Sequence, residues 1–115
     1  MADILVVMRE ATFIVLTALA AGPTHGYGII REVNELSGGR LTLRTSTLYA
    51  ALDRLTDEGL IAVDREEAVA GRLRRYYRLT ETGSAALTTA AAQQQRIAAS
   101  ALQRLRGSGL GLASA

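Results

Sequence analysis

The sequence predicts a mainly α-helical protein with one small β-hairpin, and three observations lead to this fold class. Apolar residues recur at helical spacing in several segments, most clearly within 47–58 and 81–106. Segments 60–66 and 72–79 alternate instead with the period of a strand, and a glycine-containing turn at 67–71 joins them. Of the 115 residues, 49% are hydrophobic, which is enough for one modest core.

The first two helices are predicted at 9–20 and 25–36. Residues 9–20 are apolar on almost every side, so this helix is expected to be buried by the rest of the chain or by a partner. Gly22-Pro23 ends it, and Thr24 is predicted to cap the second helix. The run Ser37-Gly38-Gly39 stops that helix.

The middle of the chain is predicted to hold a short strand and a third helix. Leu41-Thr42-Leu43 alternates as a strand does. Ser46 is the predicted N-cap of the helix at 47–58, and Gly59 closes it. The apolar stripe of this helix has the spacing i, i+3, i+4, i+7 and consists of Leu48, Ala51, Leu52 and Leu55.

The order helix, helix, short strand, helix, hairpin, helix is the layout of a winged helix-turn-helix followed by a long C-terminal helix. Thr80 is predicted to cap that last helix. We therefore divide the chain into a winged helix-turn-helix domain at 1–80, a dimerisation helix at 81–106 and a flexible tail at 107–115.

Composition excludes several classes of function. The chain has no cysteine and a single histidine, His25, so it has no disulfide and neither a thiolate nor a histidine-based zinc site. No cofactor motif is present, and His25 at a helix start is expected to be a turn residue rather than a catalyst. Charged residues among the first ten, including Asp3 and Glu10, argue against a signal peptide or a membrane span. A non-enzymatic, cytoplasmic protein is expected.

The outward face of the third helix is the first candidate binding surface. With its leucines facing the core, its N-terminal end is small and neutral, and its C-terminal end carries Asp53, Asp57 and Glu58. A helix that enters a DNA groove by its N-terminus keeps these carboxylates away from phosphates. The candidate DNA contacts here are Arg44, Ser46, Thr47, Tyr49, Ala50 and Arg54. The alternative is that Ser46 is only a cap, Tyr49 half-core and Arg54 an i,i+4 partner of Glu58.

The hairpin is the second candidate surface, because RLRRYYRLT (72–80) has four arginines within seven residues. Tyr77 and Leu79 are expected to face the core. Arg72, Arg74 and Arg78 then lie on the opposite face, and Arg75 near the tip. Charges of this kind also protect an exposed edge strand, but that role needs one or two of them, so phosphate contact by Arg72, Arg74 and Arg75 is the better account.

The last helix carries one apolar stripe that suits pairing with a second copy. Over 26 residues it would run about 39 Å, too long to pack fully on a domain of this size. The alternative is a helix that folds back on its own domain. The candidate interface residues are Leu87, Ala91, Gln94, Ala98, Ala101 and Leu105; Gln94 would either set the register or lie at the rim.

The segments HGYGIIREV (25–33), STLYAALDRLTDEGLI (46–61) and GRLRRYYRLTETG (71–83) resemble the PadR family of bacterial transcriptional regulators. The resemblance covers about residues 9–87, and Ala50 stands where the family often has proline. It implies a dimeric transcription factor, usually a repressor, and this chain resembles the short members that pair through the last helix together with the first. Phe13 therefore joins the candidate interface.

The expected function is that of a homodimeric repressor that binds double-stranded DNA through a recognition helix at 46–58 and a wing at 66–78. The operator would be an inverted repeat with half-sites about 34–36 Å apart. A sequence-tolerant architectural DNA-binding protein and a winged-helix protein-interaction module remain alternatives. A small-molecule effector, of unknown identity, is left open. Met8, Phe13 and Tyr27 are the residues that would line its cavity between subunits, although core packing is their alternative use.

Overall fold

The computed structural model describes residues 8–109 and confirms a mainly α-helical winged helix-turn-helix with a long C-terminal helix. A three-stranded antiparallel sheet in the order β1-β3-β2 stands beside the helices. The elements in chain order are α1 (Glu10–Ala20), β1 (Thr24–His25), α2 (Gly26–Leu36), α3 (Thr45–Asp57), β2 (Ile61–Val69), β3 (Arg72–Leu79) and α4 (Glu81–Ser108).

One hydrophobic core joins the first three helices, the base of the hairpin and the start of α4. The predicted stripe of α3 forms its centre, because Leu48, Leu52 and Leu55 are all fully buried. Tyr77 is buried from the sheet side, as the alternation of β3 predicts. The other large buried side chains are Ile14, Val15, Leu16, Leu19, Ile29, Val33, Leu60 and Ile61.

The predicted strand at Leu41–Leu43 was wrong, and the third strand lies elsewhere. Residues 41–44 have no regular secondary structure, whereas Thr24 and His25 pair with β3. The Asn34 side-chain amide donates to the Leu41 carbonyl at 3.3 Å and to the Thr42 hydroxyl at 2.8 Å. Side-chain hydrogen bonds therefore hold the segment that alternation assigned to a sheet, and its two leucines are half-buried against the core.

Two of the three predicted helix caps were also wrong. Thr24 belongs to β1, and His25 caps α2 by accepting a hydrogen bond at Nδ1 from the Gly28 N–H at 3.3 Å. The third helix begins at Thr45, so Ser46 lies in its first turn, and the N-cap residue Arg44 makes no side-chain cap. Thr80 does cap α4, since its hydroxyl accepts from the Gly83 N–H at 3.0 Å.

The hairpin is longer and its turn tighter than predicted. Val69 is opposite Arg72 in the ladder, which leaves a two-residue turn of Ala70 and Gly71 with φ of 52° and 77°. Positive φ at both positions is the type I′ geometry, which matches the twist of paired strands. The predicted turn at 67–71 is therefore strand as far as Val69, and its one acidic residue, Glu67, is opposite Arg74 of β3.

The last helix projects away from the core. It has 28 residues, so it is about 42 Å long, and it continues two residues past its predicted end before Gly109 terminates it with a φ of 77°. Every residue from Gln94 to Gly109 is exposed, and the longest dimension of the molecule is 59 Å. The rest of the predicted tail, residues 110–115, lies outside the described residues.

Candidate nucleic-acid interface

The first turns of α3 lie at the surface, as predicted for a helix that enters a groove by its N-terminus. The segment from Arg44 to Thr47 is exposed, and so is Ala50. The three buried leucines on the other side of the helix hold this face outward. Because the first backbone N–H groups of a helix have no partner within it, this end offers donors and a partial positive charge.

Tyr49 is held in place by the start of α2 while 41% of it stays exposed. Its hydroxyl lies so close to Gly26 that a side chain at that position would collide with it. A larger residue at the first position of α2 would require the Tyr49 side chain to shift. Tyr49 therefore combines packing between two helices with an exposed edge.

Arg54 is engaged by neighbours within the molecule. Its guanidinium donates to the Thr12 hydroxyl of α1 at 3.3 Å and lies 3.7 Å from the Glu58 carboxylate. Arg54 therefore forms the ion pair with Glu58 that the sequence left as an alternative. Asp53 and Asp57 are exposed beside it, so the C-terminal half of α3 is acidic at the surface.

The outer face of the sheet carries three of the four β3 arginines. Tyr77 is buried on the inner face, and Arg72, Arg74 and Arg78 alternate with it on the outer face together with Tyr76. Arg75 does not lie near the tip: it is opposite Glu66, three ladder positions from the last pair, because the turn has two residues.

The acidic residues of β2 pair with the arginines around them, although the sequence placed Glu67 in a turn. Arg75 Nε donates to a Glu66 carboxylate oxygen at 2.9 Å, and Arg65 Nε to Glu67 at 2.8 Å. The Arg65 hydrogen bond lowers the pKa of Glu67, which keeps that carboxylate charged. Asp64 lies 3.0 Å from Arg65 and 3.8 Å from Arg78.

Arg72 and Arg74 differ from the other arginines of the hairpin. Within the described range 8–109, no carboxylate oxygen lies within 4.0 Å of either guanidinium. Glu67 is opposite Arg74 in the ladder, but its hydrogen bond goes to Arg65. A phosphate can therefore contact these two guanidinium groups without first breaking an ion pair.

A row of side chains crosses the outer face of the sheet from β1 to β2. The Arg65 guanidinium lies 3.9 Å from the centroid of the Tyr76 ring, and the His25 ring meets Tyr76 edge-on at 5.3 Å. Burial, followed by the charges of Arg74 and Arg31, lowers the pKa of His25. The neutral imidazole is the form that can accept the α2 cap.

Two grooves flank α3, and seven of the nine predicted contact residues line one or the other. A cleft of about 330 Å³ separates the starts of α2 and α3 from the hairpin; it brings Tyr49 together with Arg72, Arg74 and Arg75. A second groove, of about 410 Å³, lies between α1 and α3 and is lined by Thr47, Ala50 and Arg54. Arg44 and Ser46 line neither groove.

Thr45 and Leu73 line the cleft beside the hairpin but were not among the predicted contact residues. Thr45 carries a hydroxyl in the first turn of α3, and Leu73 is 68% exposed between two arginines. A helix start placed two residues earlier would have identified Thr45. Nothing in the alternation of β3 separates Leu73 from a core residue, because it shares the inner face with Tyr77.

The candidate interface residues of α4 fall into two groups. Leu87 and Ala91 are half-buried against their own domain, whereas Gln94, Ala98, Ala101 and Leu105 are exposed. Ile97 and Leu102 on the same stripe are 63% and 55% exposed. The exposed group leaves an apolar face on the projecting part of the helix, so this part does not fold back on its own domain.

Of the three residues predicted to line an effector cavity between subunits, two pack on the core of their own copy. Met8 and Phe13 are half-buried against the core, while Tyr27 lines the cleft beside the hairpin. Among residues 8–109, no group of three or more potential metal ligands is found. In the same part of the chain, no helix is both long and apolar enough to cross a membrane.

Comparison with known proteins relates this arrangement to a family of regulators. The model of the transcriptional regulator PadR-like family matches residues 15–89. Transcriptional regulator Rv3488 of Mycobacterium tuberculosis is 39% identical over 74 residues, which are 64% of this chain and 65% of that protein.

Solved structures agree with that match. Bacillus subtilis PadR in complex with operator DNA is 30% identical, with a TM-score of 0.63 over 71% of this chain and 46% of that one. A PadR family regulator from Clostridium difficile is 25% identical, with a TM-score of 0.72 over 84% and 99%. The chain spans less than two thirds of the mycobacterial protein and of the Bacillus chain.

Proposed function

Because this chain belongs to the PadR-like family of transcriptional regulators, we propose that it binds operator DNA as a homodimer and represses transcription. The observation that carries the proposal is the cleft in which the exposed start of α3 faces Arg72 and Arg74 of the hairpin. The operator DNA bound to Bacillus subtilis PadR supports the same partner here. The proposal includes no catalytic step, and it locates the protein in the bacterial cytoplasm with its DNA.

In the proposed complex α3 enters the major groove by its N-terminal end. Thr45, Ser46 and Thr47 present hydroxyl groups there, and such groups contact either phosphates or base edges. Asp53 and Asp57 keep the other end of the helix away from the phosphates. The hairpin acts as a wing, and Arg72 and Arg74 contact the flanking backbone.

The homodimer follows from the exposed stripe of α4. Aliphatic and alanine side chains on one face of a projecting helix need a cover, and a second copy presents the same face. A two-fold axis between the copies would set two α3 helices on one side of the DNA. The operator is then an inverted repeat with half-sites about 34–36 Å apart.

A sequence-tolerant architectural DNA-binding protein is the second candidate. The small side chains at the start of α3, such as Ala50, favour it because they read few base edges. An effector is not part of the proposal.

Titration of a labelled fragment from upstream of the gene, beside a scrambled fragment, tests the proposal by fluorescence anisotropy at several salt concentrations. We expect tight binding to the upstream fragment alone, weakened by salt as phosphate contacts require. Equal binding to both fragments would favour the architectural candidate. Absence of binding to either at low salt would contradict both.

Charge reversal locates the wing in the same assay. We expect Arg74→Glu to weaken binding at least tenfold, because it replaces a phosphate contact with a repulsion. Arg96→Glu makes the same change of charge on α4, off its apolar stripe, and should leave affinity within twofold. Equal effects of the two variants would show that net charge, not the wing, determines binding.

A further inference from the structure

We propose that Glu66 and Glu67 restrain the wing, lowering its affinity for DNA of any sequence by acting as counter-ions to its arginines. This inference rests on the proposed DNA-binding function and goes beyond it. Glu66 and Glu67 lie on the surface that would contact phosphate, and their role would be to weaken that contact.

The two strands of the hairpin carry opposite charges at facing positions. Glu66 is opposite Arg75 and Glu67 is opposite Arg74 in the ladder. A hydrogen bond of 2.9 Å joins Arg75 to Glu66. Glu67 instead accepts a hydrogen bond of 2.8 Å from Arg65, which lies beside it on the outer face of the sheet. Each carboxylate thus lies among cations that would otherwise face a phosphate.

The charges of residues 64–78 show the size of this compensation. The segment has five arginines and three carboxylates, so its net charge is +2 instead of +5. Among the β3 arginines, Arg75 is held directly and Arg78 lies 3.8 Å from Asp64. A count of arginines from the sequence therefore overstates the positive field of the wing.

Stability does not account for these pairs. The side chains of Glu66 and Arg75 are 38% and 51% exposed, and those of Glu67 and Arg65 are 44% and 47% exposed. Ion pairs with this much solvent contact contribute little to folding. They still affect a polyanion, because a carboxylate within the Debye length of a phosphate repels it.

The ion pairs of the wing reduce the free-energy gain when a phosphate contacts an arginine. A phosphate that reaches an unpaired arginine displaces mobile counter-ions from the DNA, and this release drives binding at low salt. To reach Arg75 a phosphate must instead displace Glu66, which remains covalently attached and close by. The benefit of that phosphate interaction is reduced on operator and random DNA alike, because the wing reads no base.

This restraint suits a regulator that must leave random DNA. Sequence-independent contacts hold a protein on the large excess of non-operator sites. A weaker wing shortens that occupancy and leaves contacts from α3 to determine where the protein stays. The acidic strand is therefore a functional part of the wing as well as its hydrogen-bonding partner.

The test compares the full-length protein with Glu66→Gln and Glu67→Gln on a random-sequence duplex and on the upstream fragment, from 50 to 200 mM salt. Glutamine keeps the size and removes the charge. We expect each variant to bind both duplexes about three- to tenfold more tightly at the lowest salt. We also expect the slope of log affinity against log salt to steepen by about 0.9 for each additional phosphate that the wing neutralises.

Glu10→Gln is the matched control. Glu10 also forms an exposed ion pair, with Arg40, but it lies on α1 away from the wing. This variant should bind as the wild type does. The proposal is wrong if the wing variants bind as the wild type does, or if the control binds more tightly by as much as they do. Unchanged circular dichroism and melting temperature exclude a folding effect.

A double-mutant cycle separates pairing from general charge. Arg75→Gln should lower the affinity for DNA less than twofold in the wild-type background, where Glu66 compensates that arginine. In the Glu66→Gln background the same substitution should lower the affinity at least threefold. Equal costs in the two backgrounds would overturn the proposal. Failure of the wild type and of every variant to bind any duplex would overturn the proposed function as well. Wild-type binding with unresponsive variants would overturn the restraint alone.

Discussion

At the scale of single residues, His25 links the sheet to the helix that follows it. It lies in β1, its ring meets Tyr76 of β3, and its Nδ1 atom accepts the first hydrogen bond of α2. Only the neutral ring can accept at Nδ1. Burial and two nearby arginines lower the pKa of His25, so the fold favours the form that the cap requires.

This arrangement makes stability depend on pH. The folded pKa lies below the ordinary value of 6.5, so the unfolded chain binds a proton more readily. The contribution of His25 to the free energy of unfolding is therefore complete above about pH 6.5, and it falls as the pH decreases toward the folded pKa. Urea unfolding between pH 5.5 and 8 measures the decline. His25→Asn has no titrating group there, so a decline of the same size in this variant would contradict the assignment.

The cap itself is tested at pH 8, where the imidazole is neutral. His25→Ala should lower the free energy of unfolding by about 1 kcal/mol, because the Gly28 N–H loses its acceptor. His25→Asn keeps a capping oxygen and should recover most of that loss. Equal stability of the alanine variant and the wild type in urea would show that the hydrogen bond is dispensable.

At the scale of elements, the junction between the hairpin and α4 depends on one close approach. Gly83 in the first turn of α4 lies against the backbone of Leu60, and a Cβ there would overlap the Leu60 carbonyl. The Thr80 side chain joins the same two segments, since its hydroxyl donates to the Gly59 carbonyl at 2.6 Å and accepts from Gly83. The direction of the long helix is therefore determined within its first turn.

Two alanine substitutions within α4 separate packing from helix propensity. Gly83→Ala should lower the free energy of unfolding by about 1–3 kcal/mol, because backbone must shift to admit the methyl group. Gly107→Ala has open space around it and should have no such cost; it adds up to about 1 kcal/mol of helix propensity. Chemical denaturation measures both, and stabilisation by both would show that the junction is not tightly packed.

At the scale of the whole molecule, the first half of α4 packs on the core and the second half projects from it. The core of this chain ends near Ala90, the last buried residue of the helix. The exposed stripe beyond it contributes nothing to the fold of one copy. Its apolar side chains are thus available for a second copy, which would also set the distance between the two α3 helices.

Ile97→Glu tests this role. A charge on the stripe should convert a dimer into a monomer without altering the core, because Ile97 is 63% exposed. Gln103→Glu adds the same charge on the opposite face of the helix and should leave the dimer intact. Sedimentation equilibrium distinguishes the two. A monomeric wild type, or dissociation by both variants, would contradict the proposed pairing.

The sequence by itself determined the features that depend on local periodicity and local capping. The leucine stripe of α3, the inward Tyr77, the Thr80 cap and the long final helix all follow from the spacing of residues close together in the chain. Such patterns are readable because a helix or a strand repeats side-chain directions over short distances. The same spacing, with the family motifs, also indicated the exposed start of α3 and the arginines of the wing as candidate contacts.

Tertiary structure alone decided which distant segments meet. The pairing of Thr24–His25 with β3 supplied the third strand, whereas Leu41 and Thr42 hydrogen-bond to the Asn34 side chain and join no sheet. A two-residue turn, instead of the predicted five, set the register that places Glu66 opposite Arg75. Interactions between strands depend on that register, and a shift of one residue exchanges every pair. For this reason the arginines of the wing were visible in the sequence, but the acids that compensate them were not.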